Sequence, residues 1–347
     1  MKKKIKNFTN ILQAELFAKK SIRKGTFNWL VSGAENNYTR DQNIDALSQI
    51  KIYPNILTKV GNPKIETSFF GKKINSPVFL CPMGHQTQFY SSGEFATAKG
   101  VNDNGNLGFF STQGRVSFNA IKNKYPKSKL VWQIFPFGNY DWMLKEIKRA
   151  ENSKSLAISF CFDAPVRSFR YMDKETGYDA RKFGKRYYPM PPDPTKALTY
   201  DWELIKWIKK KTNLKILPKG LMSVEDIKLA IKYGADGIWI SNHGGRMFNS
   251  GFSVAEIIYK TKRLIKPGLP ILVDGGVRKG TDIIKYMCLG ANFVGIGRPA
   301  IYGLILNGSN GVKRIFQILE SELISAMQNG GFKNLNSFKK KRIDIKI

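Results

Sequence analysis

From Pro77 onward, short runs of β-branched and aromatic residues alternate with longer stretches whose apolar positions recur at helical spacing. That alternation is the pattern of βαβ units around a parallel sheet. It predicts eight strands: Pro77–Cys81, Leu107–Ser111, Leu130–Phe135, Leu156–Phe162, Lys215–Pro218, Gly237–Ser241, Ile271–Asp274 and Phe293–Ile296. Several lack polar alternation, as expected when both faces of a strand are buried. The stretches between them carry helix punctuation. Ser223 precedes Val224-Glu225-Asp226 and the periodic Ile227, Ala230 and Ile231, and Gly234 marks the stop. After Gly280, Thr281 is placed to cap a helix running through Ile284 and Met287 to Gly290. Strands and helices in this number predict an α/β protein with a closed (β/α)8 (TIM) barrel, more than an open doubly wound sheet.

Two regions fall outside the repeat. Residues 1–75 read as a helical extension with a turn, ahead of a barrel at about 76–330 in a single domain of 1–347. Residues 163–200 are too long for an ordinary connection after strand four. Their segment RYMDKETGYDARKFGKRYYPMPPDP is polar, aromatic and proline-punctuated, so it reads as a mobile loop over the barrel mouth or as a surface insertion.

Composition narrows the class. Hydrophobic residues at 42% and aromatics at 12% are enough to fill a core, which argues against disorder. Cys81, Cys161 and Cys288 sit in apolar stretches without metal-ligand spacing, so neither a disulfide framework nor a metal site is expected. The basic start lacks the apolar segment of a secretory signal, and no run approaches about 18 apolar residues, which points to a soluble cytoplasmic protein. Lys plus Arg number 57 against 26 Asp plus Glu, a net charge of +31. Such a charge suits a nucleic-acid or membrane binder. The lysines are spread along the chain, however, with only short clusters at Lys2–Lys4, Lys209–Lys211 and Lys339–Lys341, which fits a lysine-rich surface better. A positive field also attracts anionic substrates and cofactors.

In this fold chemistry belongs at the C-terminal ends of strands. There the sequence places Pro82-Met83, Ser111, Gln133 with Phe135, Asp163, Lys219, Ser241 to Arg246, Asp274 to Arg278, and Gly297-Arg298. Gly275, Gly276 and Gly297 allow backbone N–H groups to approach an anion, and Arg278 and Arg298 carry forked donors. Together they read as a phosphate site. His243 is one of two histidines, flanked by a glycine pair, with Arg246 three positions on. An imidazole there can take a proton, and a guanidinium can hold a carboxylate. Asp163 is placed to pair with the imidazolium across the mouth. His85 lacks such company and reads as structural. Lys219 fits a Schiff-base lysine or a fixed cation beside a cofactor ring, and the phosphate loops favour the cation.

SNHGGR at 241–246, LPKGLMSVEDIKLAIKYGADGIWI at 217–240 and VDGGVRKGTDIIKYMCLGANFVGIGRP at 273–299 resemble the FMN-dependent 2-hydroxy acid oxidases and dehydrogenases. FNWLVSGAENNYTRDQN and GEFATAKG extend the resemblance to nearly the whole chain from about residue 20. Within the family the chain is most similar to the lactate oxidases. The resemblance implies an FMN ring contacted by Pro82, Met83, Ser111, Gln133, Cys161, Lys219 and Ser241. It places the ribityl chain at Asp274 and the phosphate at Gly276, Arg278, Gly297 and Arg298. It makes His243 the base, Asp163 its partner, and Arg246 with Arg170 the carboxylate binders. Two electrons then reach flavin N5, as a hydride or by way of a carbanion. Oxygen takes them onward to hydrogen peroxide in an oxidase, another acceptor in a dehydrogenase. A homotetramer is the family's usual assembly.

Three positions depart from the family. Trp29 and Phe135 stand where tyrosines are usual, and Cys161 where a threonine is. Trp29 keeps an N–H donor, but Phe135 offers none. One lost hydrogen bond costs about 1–3 kcal/mol, so the departures predict a slower or differently selective enzyme. A flavoprotein that has lost catalysis and binds a partner is the competing reading from another class.

Overall fold

The computed structural model describes residues 7–186, 188–189, 192–262, 264–265, 268–340 and 343–345. Lys2–Lys4 and Lys341 of the lysine clusters, and Tyr187, Met190 and Pro191 of the long loop, lie outside the described residues. Eight parallel strands close into a barrel: β1 (Val78–Leu80), β2 (Leu107–Ser111), β3 (Lys129–Ile134), β4 (Ile158–Cys161), β5 (Ile216–Lys219), β6 (Ile238–Ile240), β7 (Ile271–Asp274) and β8 (Phe293–Ile296). They run in sequence order, with β8 pairing back onto β1. All eight predicted strands are present, three with the expected ends. The others are shifted or shortened where the chain turns toward the mouth.

Alternate side chains of a strand point to opposite faces, and here the two faces bury different sets. Outward residues such as Val78, Leu80, Leu130, Trp132, Ile158, Ile238 and Val294 pack under the helices. Inward residues Phe79, Leu107, Phe109, Val131, Leu217, Trp239, Leu272 and Phe293 form the barrel's own core. The rings of Phe79, Phe109 and Trp239 meet at centroid distances of 4.6–5.2 Å. Below them sits an element that the hydrophobic pattern did not predict, a hairpin of Thr67–Phe69 and Lys72–Ile74. Phe69 closes the barrel floor against Phe109 and Phe293. Each hairpin strand is three residues long, too short for a periodic signal.

Among its described residues the extension contains three helices, Ile11–Ser21, Lys24–Val31 and Tyr38–Gln49. A further strand, Ile50–Ile52, pairs antiparallel with Ile343–Ile345, tying the extension to the far end of the chain. Ser223 caps its helix as expected, accepting from Asp226 N at 2.9 Å, and Gly290 ends the next-to-last barrel helix at φ 118°. Thr281 is not the cap of that helix. The helix already begins at Gly280, and Asp282 accepts from Arg278 N and Lys279 N at 2.9 and 3.1 Å.

The long segment after β4 lies over the mouth and is tied to the barrel. Buried Arg115 donates to the carbonyls of Ala180 and Gly184, both at 2.6 Å. Thr87 Oγ1 donates to Lys185 O at 2.8 Å. Among the described residues no helix is long and apolar enough to cross a membrane.

The interior stack yields a stability prediction. Phe109→Ala removes a fully enclosed ring, and denaturant unfolding should show a loss of about 3–5 kcal/mol with the far-ultraviolet spectrum unchanged. A loss under about 1 kcal/mol would mean that the interior can collapse around the cavity.

Candidate active site

The inward faces that carry aromatics low in the barrel carry polar groups at its mouth. Ser111 and Gln133 pair across β2 and β3, Cys161 and Lys219 across β4 and β5. Over them opens a cavity of about 360 Å³, within the range of small-molecule sites. Its wall includes Trp29, Pro82, Met83, Ser111, Phe135, Arg170, Lys219, His243, Arg246, Asp274, Gly276, Arg278, Gly297 and Arg298. Of the remaining predicted residues, Asp163, Gln133, Cys161 and Ser241 stand behind this wall and hold it. Ser241 Oγ donates to Asp274 Oδ1 at 3.0 Å, and Gln133 Nε2 to Ser159 Oγ at 3.4 Å.

His243 reaches the cavity because the chain after β6 turns through left-handed backbone, with φ 57° at His243 and 71° at Gly245. A Cβ on Gly245 would lie 2.3 Å from the backbone nitrogen of Arg40, so only glycine lets this turn meet the helix Tyr38–Gln49. Ala34 N donates to Gly245 O at 2.8 Å, and the Asn43 and Asn242 amides exchange hydrogen bonds at 2.9 Å. Thus the extension locks the loop.

His243 Nδ1 lies 3.0 Å from Asp163 Oδ1. A carboxylate is an acceptor, so Nδ1 carries the proton and Nε2 is left as the acceptor. Burial alone would raise the Asp163 carboxyl. The Lys219 ammonium at 3.4 Å, His243 and the Cys161 thiol at 3.0 Å outweigh it and hold the group well below the ordinary carboxylate range. Burial tends to neutralise Lys219, but Asp163 and Asp274 raise it, so its charge is retained. His243 moves the other way. Burial lowers it, with Lys219 adding to the fall and Asp163 opposing it. Cys161, Asp163 and His243 offer ligand atoms within 4.8 Å of one another, yet the Lys219 ammonium already supplies the cation that Asp163 faces.

Two arginines are held by the end of the helix Lys24–Val31. Arg246 Nη1 donates to the carbonyls of Trp29, Leu30 and Ser32 at 2.9–3.1 Å, with its guanidinium 5.0 Å from the Trp29 ring centroid. Arg298 donates to Leu30 O, Gly244 O and Ser32 O, and burial pushes it down to about 10. Its side chain is therefore engaged, and toward an anion it offers charge and the N–H groups of the helix start at Arg298. Arg170 is positioned by a backbone bridge to Glu35 and an ion pair of 3.4 Å with Asp173. Its Nε is the atom that faces Asp173, while Nη1 is buried without a hydrogen bond among the described residues, a donor that a carboxylate would satisfy.

The phosphate loops also fit an anion. Gly276 has φ 77° and a Cβ there would lie 2.3 Å from Asn43 O, while Gly275, Gly276 and Gly297 all border the cavity. With the buried ammonium of Lys219 on the same wall, the residues present fit FMN. Sequence reasoning missed several wall residues, among them Gln113, Phe137, Arg167 and Met247. It also gave His85 no company. The structure puts His85 on the wall, 3.2 Å from Arg115 Nη2 and edge-on to Trp29, and burial followed by Arg115 lowers it to about 3.

The two histidines predict distinct titrations. In the flavin-free chain, NMR of the imidazole C2 protons should show His243 titrating below its ordinary value of about 6.5 while His85 stays neutral. Asp163→Asn removes the pull that raises His243, so its midpoint should fall further. A midpoint at or above the ordinary value would overturn the burial argument.

The family model described as FMN-dependent dehydrogenase matches residues 18–345. A 2-hydroxyacid oxidase of Dictyostelium discoideum is 30% identical over 96% of this chain and 89% of its own length. An L-lactate oxidase of Lentilactobacillus hilgardii is 30% identical over 97% and 94%. The solved structure of a mandelate oxidase with (S)-2-phenylpropionate superposes with a TM-score of 0.91 at 26% identity, covering 98% of this chain and 99% of that one. The barrel, the mouth and this likeness agree: the chain belongs to the FMN-dependent dehydrogenase family, among its 2-hydroxyacid oxidases.

Proposed function

We propose that the protein oxidises a small L-2-hydroxy acid of the lactate type to the 2-keto acid, with oxygen as acceptor and hydrogen peroxide as product. One observation carries this reading: the acceptor nitrogen of His243 and Arg170, whose Nη1 has no hydrogen bond among the described residues, serve the same cavity as Lys219.

Arg170 and the outward side of Arg246 would hold the substrate carboxylate bidentately. That anchoring directs the 2-hydroxyl to His243 Nε2. The hydroxyl proton would pass to Nε2, and Asp163, ionised and hydrogen-bonded to Nδ1, would stabilise the imidazolium. Bound FMN would supply the two-electron acceptor for the Cα hydrogen and its electron pair, and oxygen would reoxidise it. Lys219 would offer it a fixed positive charge, and Pro82, Met83 and Ser111 would hold its ring. Asp274 would take the ribityl chain, Gly276, Arg278, Gly297 and Arg298 the phosphate. Trp29 and Phe135 flank the substrate. Cys81, Cys161 and Cys288 are all buried, and a reducing cytoplasm and the family's tetramer are part of this reading.

Anaerobic mixing of the FMN-loaded protein with L-lactate, glycolate and longer 2-hydroxy acids should bleach the flavin with at least one of them. Air should restore the colour with release of peroxide. Recolouring by a quinone but not by air makes the protein a dehydrogenase, and bound flavin that no 2-hydroxy acid reduces refutes the catalytic reading. His243→Ala should keep the colour and slow reduction about 10²–10⁴-fold.

Phe135 lies 6.3 Å from the His243 ring and lacks a hydroxyl. Phe135→Tyr should therefore raise kcat/KM about tenfold, one hydrogen bond's worth. No gain would show that substrate orientation does not depend on this position.

A further inference from the structure

Arg278 and Arg298 form a partition. On one side is the mouth cavity; on the other is a second cavity of about 490 Å³ between the helices Ile11–Ser21 and Tyr38–Gln49, which Arg40 and Lys279 also border. Guanidinium groups crowd here, and after burial Arg278 and Arg40 both help to lower Arg298. Arg40 has its own partner in Asp41 at 2.7 Å. Arg278 faces Glu15, whose Oε2 is 3.8 Å from Arg278 Nε, within ion-pair range but too long for a hydrogen bond. The buried Tyr302 hydroxyl borders the same cavity and faces Glu15, whose carboxylate adds to burial in raising it.

Glu15 reaches this place from a helix whose other face, Ile11, Ala14 and Ala18, is core. Its side chain is 30% exposed, so nothing about packing requires a carboxylate here. Besides the Tyr302 hydroxyl, what uses it is the charge balance. With no anion in the mouth cavity, Arg278 and Arg298 share this one nearby carboxylate from the first helix. When a phosphate dianion is on the other side, Glu15 opposes it across a single guanidinium.

We propose that Glu15 is the counter-ion of the phosphate end in the flavin-free protein and an electrostatic competitor of the FMN phosphate: it stabilises the flavin-free protein and weakens its hold on FMN. The proposal rests on the reading of Arg278 as a phosphate contact.

The full-length chain, stripped of flavin, is titrated with FMN and with riboflavin, which lacks the phosphate, following flavin fluorescence. Glu15→Gln should tighten FMN about tenfold, or about 1.4 kcal/mol, and leave riboflavin unchanged. The same variant should lower the melting temperature of the flavin-free chain. Glu15→Asp keeps the charge and should stay near the parent in both measurements. Arg278→Met should cut the preference for FMN over riboflavin at least tenfold. If that preference is unchanged, the reading of Arg278 as a phosphate contact fails and takes the Glu15 proposal with it. If it is cut while Glu15→Gln leaves FMN affinity unchanged or weaker, equally tightens riboflavin, or leaves the melting temperature unchanged, the Glu15 proposal is overturned and the phosphate reading stands.

Discussion

Side chains alternate along a strand, and closing eight parallel strands turns that alternation into a gradient along the barrel axis. Leu217 and Lys219 share one inward row, as do Trp239 and Ser241, Leu272 and Asp274, Leu107, Phe109 and Ser111. The lower member of each row fills the core, and the upper one reaches the mouth or the layer beneath it. A slip of one residue would carry Lys219 into the helix layer and bring Pro218 inside. The site therefore depends on register before it depends on any loop. The aromatic stack of Phe79, Phe109 and Trp239 fixes that register from below, and Trp239 extends it upward by donating to Asp274 Oδ2 at 2.8 Å.

A gradient that ends in buried charges needs counter-charges built into the same frame. Lys219 has two carboxylates acting on it, Asp163 and Asp274, and Asp163 in turn positions His243. The arginines are satisfied differently. Arg246 and Arg298 both donate to backbone carbonyls at the C-terminal end of the helix Lys24–Val31 and its following residue, where a helix leaves acceptors free and partially negative. The extension is thus one wall of the site. It supplies the carbonyls of 29–32, the Asn43 amide against Asn242, and the backbone bridge at Glu35 that sets Arg170.

What could be read from the chain follows from this division. The eight strands show as apolar runs, and the mouth residues show because polar side chains and glycines interrupt those runs at their ends. His243, Arg246, Lys219 and the phosphate loops were legible for that reason. The carbonyl ligands of Arg246 and Arg298 were not, because a backbone acceptor leaves no trace in residue identity. The floor hairpin was too short for a period. Thr281 looked like a cap because the preceding glycine reads as a break, whereas Gly280 is already helical and Asp282 reaches back. His85 looked solitary because Arg115, its partner, lies on a loop after a different strand.

The substitutions at the mouth change how selectivity can arise. Trp29 packs beneath Arg246, and Phe135 packs on Phe137 at 5.1 Å beside His243. Phe137, Ala164, Val166 and Met247 continue the wall with apolar surface. On the proposed reading the polar end of a substrate would be fixed by Arg170, Arg246 and His243, groups that read only the features common to every 2-hydroxy acid. The rest of the substrate meets hydrocarbon, and a methylene more or less against hydrocarbon discriminates only about 10–200-fold. A wall of this kind grades substrates by size and shape, where a hydroxyl at position 135 would test for one hydrogen-bonding geometry. On that reading selectivity among 2-hydroxy acids would rest on the volume left between Phe135, Met247 and the loop tied down by Arg115.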